Sequence, residues 1–306
     1  MRVYKVSEYL STLGQTTVVI PSDLGIEEKH KRLNIIKSED ILYVQKWRND
    51  FNSAQNIGQY KGKCRIVFDI DDLSGDKQAL DLISLSDALV VGNHFLYGRY
   101  SDGKRPIFVI PSPVDLAEYP KFKKEGGPSI SMAKCGIGPM LGPLGKLKDV
   151  LNNLWETFKF DLILVGFQDS GDVYKAQQIF PYAKCFELRT YDRYLTDTVP
   201  MLQMTMMSIL PFIKRDEGKS GHSLLANMAM GIPTCASSYA ECGYIIQDGI
   251  NGLIACDNSQ WYDKIERLFR DSELRSKIRQ AGWRTITEKY DVPVVARSLL
   301  ECLRKV

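Results

Sequence analysis

Lys219-Ser220-Gly221-His222-Ser223-Leu224-Leu225 sets small, polar and basic residues directly before an apolar run, the pattern of a helix that opens from a glycine turn. The first amides of a helix have no intrahelical acceptor, and the dipole places positive charge at that end, so such a turn is a candidate cradle for a phosphate. Lys214, Arg215 and Lys219 lie just upstream. Ser220 or Ser223 is expected to cap the helix, Gly221 to admit close approach of a ligand, and Gly231 with Pro233 to stop it. His222 is a candidate donor to a phosphate or sugar, or makes a local hydrogen bond. A buried connecting helix behind a basic loop is the plainer reading of the same residues.

A second constellation is Phe68-Asp69-Ile70-Asp71-Asp72, three carboxylates that follow a β-branched run. They fall at the carboxyl end of a strand, the edge at which open α/β sheets bind ligands. There Asp69, Asp71 or Asp72 would orient an acceptor hydroxyl or take its proton. The alternative is a solvated turn in which Asp71 or Asp72 caps the next helix. His94, in Gly92-Asn93-His94-Phe95-Leu96, follows another strand end; it either lines the same site or starts a surface helix.

The elements that must position these residues alternate along the chain. Strands are expected at 17–20, 41–44, 65–69, 88–91 and 107–110, then at 162–165, 184–188, 208–211, 234–236 and 252–255, with helical stretches between them. That is the pattern of parallel sheets wrapped by helices. With 306 residues the chain is long enough for two domains, each with its own core. Forty Lys and Arg against 37 Asp and Glu give a formal net charge of +3, which leaves no nucleic-acid footprint. The seven cysteines are scattered without Cys-x2-Cys pairs, so reduced thiols are expected and a zinc site is not. The longest apolar run, 201–213, is interrupted by Gln203, Thr205 and Ser208, and no membrane span is expected.

Beyond Pro233 the chain continues through Thr234-Cys235-Ala236-Ser237-Ser238 to Gly243-Tyr244-Ile245-Ile246-Gln247-Asp248-Gly249-Ile250-Asn251-Gly252-Leu253-Ile254. Residues 219–290 resemble the donor-site half of a GT-B glycosyltransferase of family 4, the group 1 type. The family pattern there is a glycine loop, a helix reading roughly Glu-Ala-Met-Ala-x-Gly-x-Pro, a short strand and a segment ending Asp-Gly-x-Asn-Gly-Leu. Pro111-Ser112-Pro113-Val114-Asp115 is similar to the element that ends the family's first domain. The resemblance implies an α/β GT-B fold: two Rossmann-like α/β/α lobes whose parallel sheets face a cleft. It implies an acceptor-side domain at 1–122, a nucleotide-sugar domain at 123–290, and a terminal helix at 291–306 that returns to the first lobe. The first lobe is expected to be short, because the family places a strand and a glycine loop before the helix that matches 2–10.

By the same resemblance, Gly136, Gly138 and Lys146 in the stretch Gly136–Lys146 would meet the donor diphosphate, and Arg189 with Tyr191 would flank the base. Lys214, Arg215, Lys219, Ser220, Gly221, His222 and Ser223 complete the donor set, and the Asp69–Asp72 run resembles an acceptor-side Asp-x-Asp-Asp facing the cleft. The chain departs from the family where two glutamates usually stand seven residues apart: Gly218 and Ala226 occupy those positions, and Tyr244 replaces a common acidic residue. Glu217 and Asn227 are each one residue away, but one residue on a helix is a rotation of about 100°.

The implied activity is transfer of a sugar from a nucleotide diphosphate donor to a glycan or lipid-linked hydroxyl, with retained configuration and without a metal ion. No permanently bound cofactor is expected. The implied setting is surface polysaccharide or glycoconjugate synthesis in the cytoplasm, either free or peripheral at the inner membrane face. The alternative is a noncatalytic GT-B-like subunit or glycan-binding partner that has lost the donor-site glutamates.

Overall fold

The computed structural model describes the chain except residues 1, 47–49, 74, 120–125, 135–136 and 188–189, and the side chains at 2 and 191. It divides into two units. The first holds the chain up to Pro113 together with Gly218–Ser220 and Tyr290–Val306, and the second holds Val114–Glu217 and Gly221–Lys289. The domain boundary expected between 122 and 123 falls outside the described residues.

The first unit contains helix α1 (Arg2–Thr12), α2 (Ile26–Leu33), strand β1 (Ile41–Gln45), α3 (Ala54–Ile57), β2 (Arg65–Ile70), α4 (Lys77–Leu85), β3 (Ala88–Val91), α5 (His94–Tyr100) and β4 (Ile107–Val109). Its sheet runs β1-β2-β3-β4, every pair parallel, so spatial order equals chain order. Parallel crossovers are right-handed, and a sheet built in one direction therefore receives all its connecting helices on one face. Ile57 of α3, Leu82 of α4 and Leu96 of α5 accordingly share one core with Ile66, Phe68, Ile70, Leu89 and Val91. The expected strand at 17–20 is not in the sheet. Its β-branched run instead lies along α1, where the Thr17 hydroxyl meets Ser7 Oγ at 2.7 Å.

The second unit contains β5 (Ser129–Ala133), α6 (Leu141–Gly145), α7 (Lys148–Phe158), β6 (Asp161–Phe167), α8 (Ser170–Ile179), β7 (Ala183–Glu187), α9 (Tyr191–Arg193), α10 (Val199–Leu202) and β8 (Met207–Leu210). There follow α11 (His222–Met230), β9 (Thr234–Ala236), α12 (Cys242–Ile245), β10 (Leu253–Ile254), α13 (Asn258–Arg270) and α14 (Ser272–Lys289). Its parallel sheet runs β10-β9-β8-β5-β6-β7. Strand β5, absent from the sequence expectation, is central. Its serines interrupt the apolar pattern yet are buried, because Ser131 Oγ reaches Met207 O at 3.3 Å and Thr205 Oγ1 at 3.1 Å, while Ser208 Oγ donates to Ser131 O at 2.8 Å. These bonds replace the water that the hydroxyls give up.

Helix α15 (Val292–Leu303) is capped by Asp291, whose carboxylate accepts from Val292 N at 3.0 Å. Val292, Val295, Ala296 and Leu299 recur at helical spacing and are buried. Val295, Ala296 and Leu299 form a core with Val6 and Leu10 of α1 against Val67, Ala88 and Val90, the sheet face that α3–α5 leave bare. Arg297 also donates to the Tyr9 hydroxyl and lies over its ring at 5.4 Å. Truncating Leu299→Ala should cost about 2–4 kcal/mol in urea denaturation followed by circular dichroism. A loss below about 0.5 kcal/mol would mean that α15 does not close this face.

Candidate functional site

In the second sheet the strand order reverses between β5 and β8: β6 and β7 extend one way from β5, while β8, β9 and β10 extend the other. Loops leaving the carboxyl ends of such neighbours turn to opposite faces and open a crevice between them, the usual ligand position in doubly wound sheets. Lys134 follows β5 at this point; its amide continues the ladder to Val165 O at 3.0 Å and its ammonium lies 5.2 Å from the Phe212 ring. The loop after β8 is pinned by Ser237 Oγ to Phe212 O at 2.7 Å and by buried Asp216, which accepts from Ile213 N at 3.0 Å. Arg215 donates to Pro139 O at 3.0 Å and so ties the two loops together, with Lys214 exposed beside it.

Helix α11 starts from the same edge. Neither Ser220 nor Ser223 caps it: the N-cap is Gly221, at φ −74° and ψ 16°, which has no side chain with which to bond the first turn. The cap expected from the sequence is missing because a capping serine needs extended backbone, and the chain is already turning at Gly221. Helices α4, α5, α8, α13 and α15 carry Asp76, Asn93, Asp169, Asp257 and Asp291 as caps. The opening turn of α11 is thereby left to other acceptors. Gly221 itself is required by packing rather than by ligand approach, since a Cβ there would lie 2.6 Å from Ile245 Cδ1 and 3.0 Å from Glu241 Cβ. At the far end Gly231 takes φ 71° and its carbonyl accepts from Arg279 Nε at 2.8 Å. Asn227 is turned onto β8, where it donates to Ser208 Oγ at 3.0 Å, as the one-residue rotation requires.

The other expected donor residues are dispersed. Gly136 and Arg189 lie outside the described residues, and Tyr191 opens α9. The stretch expected as a glycine-rich loop is largely helical, a 3-10 turn at Gly138–Met140 running into α6, with Pro143 tolerated in the first turn. The space beside Gly138 is taken by this chain's own Asp172, whose carboxylate sits where a Cβ would project. Lys146 closes α6 and is exposed. His222 and Ser223, half-buried, begin α11, and Lys219 and Ser220 belong to the first unit.

In the first unit the carboxylates cluster at the carboxyl end of β2. Asp69 is fully buried, whereas Asp71 and Asp72 face Lys46 Nζ at 3.0 and 3.9 Å. Lys46 is held left-handed, at φ 59°, by its amide bond to Asp69 O and by Asn52 Nδ2 at 2.6 Å from its carbonyl. Neither Asp71 nor Asp72 caps the following helix; Asp76 does. His94 is the exposed first residue of α5, behind its cap Asn93. Gly218, also in this unit, has no room for a side chain: a Cβ would meet Leu73 Cβ at 2.4 Å. The missing first glutamate thus has a steric cause as the chain is folded.

Two residues escaped the sequence reading. Lys134 was hidden with the serine-bearing strand before it. Glu241 opens α12 with 7% of its surface exposed, after Ala240 at φ 56°, and burial pushes its carboxyl up to about 7. Among the described residues no group of three or more His, Cys, Asp and Glu is placed to hold a metal.

Residues 145–271 match the sequence profile of a family described as Glycosyl transferases group 1. No curated protein sequence matches the chain. Among solved structures, a glycosyltransferase from Rickettsia africae ESF-5 superposes with TM-score 0.71 at 14% identity, over 98% of this chain and 93% of that one. A sucrose-phosphate synthase from Thermosynechococcus elongatus gives 0.66 at 11% identity, over 99% and 92%. Anabaena HepE, solved with UDP and glucose, gives 0.68 at 13%, over 92% and 80%. The GT-B fold expected from the resemblance holds, and the profile match falls almost wholly on the second unit.

Glu241 makes a pH-dependent prediction. Its folded carboxyl titrates near 7, above the unfolded value, so the folded chain holds an extra proton between the two. The contribution to stability is fully present below the unfolded value and is lost as pH rises through about 7. Glu241→Gln should therefore melt higher than the parent at pH 8 and level with it near pH 4.5. Equal melting temperatures at both pH values would contradict the burial of this carboxyl.

Proposed function

We propose, for a chain with the GT-B fold and a group 1 glycosyltransferase match in its second unit, that it transfers a glycosyl group from a nucleotide diphosphate-sugar to a hydroxyl of a glycan or lipid-linked acceptor. The observation that carries this reading is the opening turn of α11, bare of any side-chain cap, at the reversal point of a parallel sheet and on the edge that bears Lys134, Lys214 and Arg215. Negative charge grows on the diphosphate as the glycosidic bond breaks. Fixed amides and basic side chains already aimed at that charge stabilise it without reorganising. The same positive elements do the work that a divalent cation does in other phosphate chemistry, so transfer is read as metal-independent, with retained configuration. Support comes from the Anabaena structure, which was solved with UDP and glucose.

On the acceptor side, Asp71 and Asp72, partly exposed and facing Lys46, are assigned to orient or deprotonate the hydroxyl; Asp69, fully buried, is not assigned that part. The setting is taken to be cytoplasmic synthesis of a surface polysaccharide or glycoconjugate, free or peripheral at the membrane. Among the described residues no helix is long and apolar enough to cross a bilayer.

One observation favours a second reading. Leu73 fills the place of a side chain at Gly218, and Ala226 is buried and offers no acceptor, so neither family glutamate is available. A noncatalytic subunit of the same fold would tolerate both.

Calorimetric titration with UDP, GDP, ADP and CMP separates these readings when paired with an assay for transfer from the matching sugar conjugate. One diphosphate should bind saturably, and Lys134→Ala should weaken it by about 1–3 kcal/mol. Ser223→Asp should weaken it by at least about tenfold while leaving the melting temperature level or higher, because a carboxylate suits a helix start but repels a phosphate there. Binding without transfer to any acceptor would favour the noncatalytic reading. No binding up to millimolar ligand would remove the donor site altogether.

A further inference from the structure

Glu241 is a carboxyl group that the transfer reaction as described does not use. It is more than nine-tenths buried, and among the described residues no hydrogen bond or ion pair engages its carboxyl. Its oxygens are not among the described polar atoms that lack both solvent and a hydrogen-bond partner. Its Cβ and Cγ lie 3.0 and 3.3 Å from the point where a side chain of Gly221 would begin, so the carboxyl stands beside the residue from which α11 opens. The turn that delivers it is strained, with Ala240 at φ 56°, and such strain persists only where surrounding structure holds it. The two observations are independent: one is a helix start without a side-chain cap, the other a buried carboxyl without a partner set against it.

We propose that Glu241, as the neutral acid, donates its O–H to a phosphate oxygen of a diphosphate seated on the opening turn of α11. The proposal rests on the donor-site reading above. Its physical basis is that an ionised carboxylate and a diphosphate repel each other at this distance in a poorly solvated place, whereas the acid form turns the same residue into a donor. Binding then takes one proton from solvent onto Glu241 whenever the free protein holds it ionised. Among the described residues no other acid is in hydrogen-bond contact with its oxygens. Burial, which holds this carboxyl near neutrality before any ligand arrives, makes the proton inexpensive to add.

Cys242 on α12 is driven up to about 12 by burial, with the Glu241 charge adding to the effect, so it stays a thiol throughout. Tyr239 precedes the turn, Tyr244 lies on α12 and His222 stands at the start of α11. A histidine would also bind diphosphate better at lower pH, so the variant at 241 is what separates the two.

The test is calorimetric titration of the full chain with UDP and with inorganic pyrophosphate, from pH 6.5 to 8.5, in buffers of different ionisation heat. Near one proton should be taken up per diphosphate at pH 8, and affinity should fall by up to tenfold per pH unit above neutrality. In Glu241→Gln, whose amide donates without titrating, both effects should vanish, with affinity at pH 8 equal to or tighter than the parent's. Glu241→Ala, which has no donor, should bind more weakly than Glu241→Gln at every pH. Proton uptake that persists in Glu241→Gln, or parent binding with no proton uptake at pH 8, overturns the role of Glu241 while leaving the donor site standing. Failure of the parent to bind either probe overturns the donor-site reading and this inference with it.

Discussion

Parallel pairing of every strand in both sheets is the constraint on which the rest of this molecule depends. Parallel neighbours cannot be joined by a tight turn, so each connection becomes a right-handed crossover and every loop that leaves a strand's carboxyl end gathers on one edge. The two sheets meet this demand differently. In the first, spatial order follows chain order, all the crossover helices fall on one face, and the other face must be covered by the two ends of the chain, α1 and α15. In the second, the order reverses between β5 and β8, the position at which doubly wound sheets usually bind ligands. The chemistry proposed for the protein sits where that reversal places it.

The crevice edge is assembled from groups that stability alone would not favour. A helix start capped by glycine forgoes roughly a few tenths of a kcal/mol that a serine or aspartate would contribute. A carboxyl buried beside it without a partner is a further cost at neutral pH, and Ala240, a non-glycine residue, holds left-handed backbone just before it. What offsets these costs is close packing nearby: Asp216 and Ser237 pin the loop after β8, Arg215 ties it to the loop after β5, and Arg279 seals the far end of α11.

Much of this was legible in the sequence, and the failures have physical causes. Runs such as Ile66-Val67-Phe68 and Ala88-Leu89-Val90-Val91 read as strands because they are buried on both faces and therefore apolar throughout. The run Ser129-Ile130-Ser131-Met132 did not, because its hydroxyls are satisfied by neighbours far away in the chain, and with it went both the reversal point and Lys134. Thr17–Ile20 has strand propensity but joins no sheet, and Thr17 instead bonds Ser7 of α1. The glycines at 138, 142 and 145 suggested a loop, yet they sit in helical turns, and at 138 the reason is the carboxylate of Asp172 rather than a ligand. Glu241 carries no local signal, since its burial arises from Gly221, twenty residues earlier in the chain.

The central claim is that a nucleotide diphosphate rests on the opening turn of α11. Amide chemical shifts followed while UDP is titrated into nitrogen-15-labelled protein test it most directly, because they report the individual N–H groups involved. The account predicts saturable shifts at Ser223 and Leu224, accompanied by shifts in the loop after β8 around Lys214 and Arg215. Saturation with those amides unmoved, and the changes located elsewhere, would contradict it.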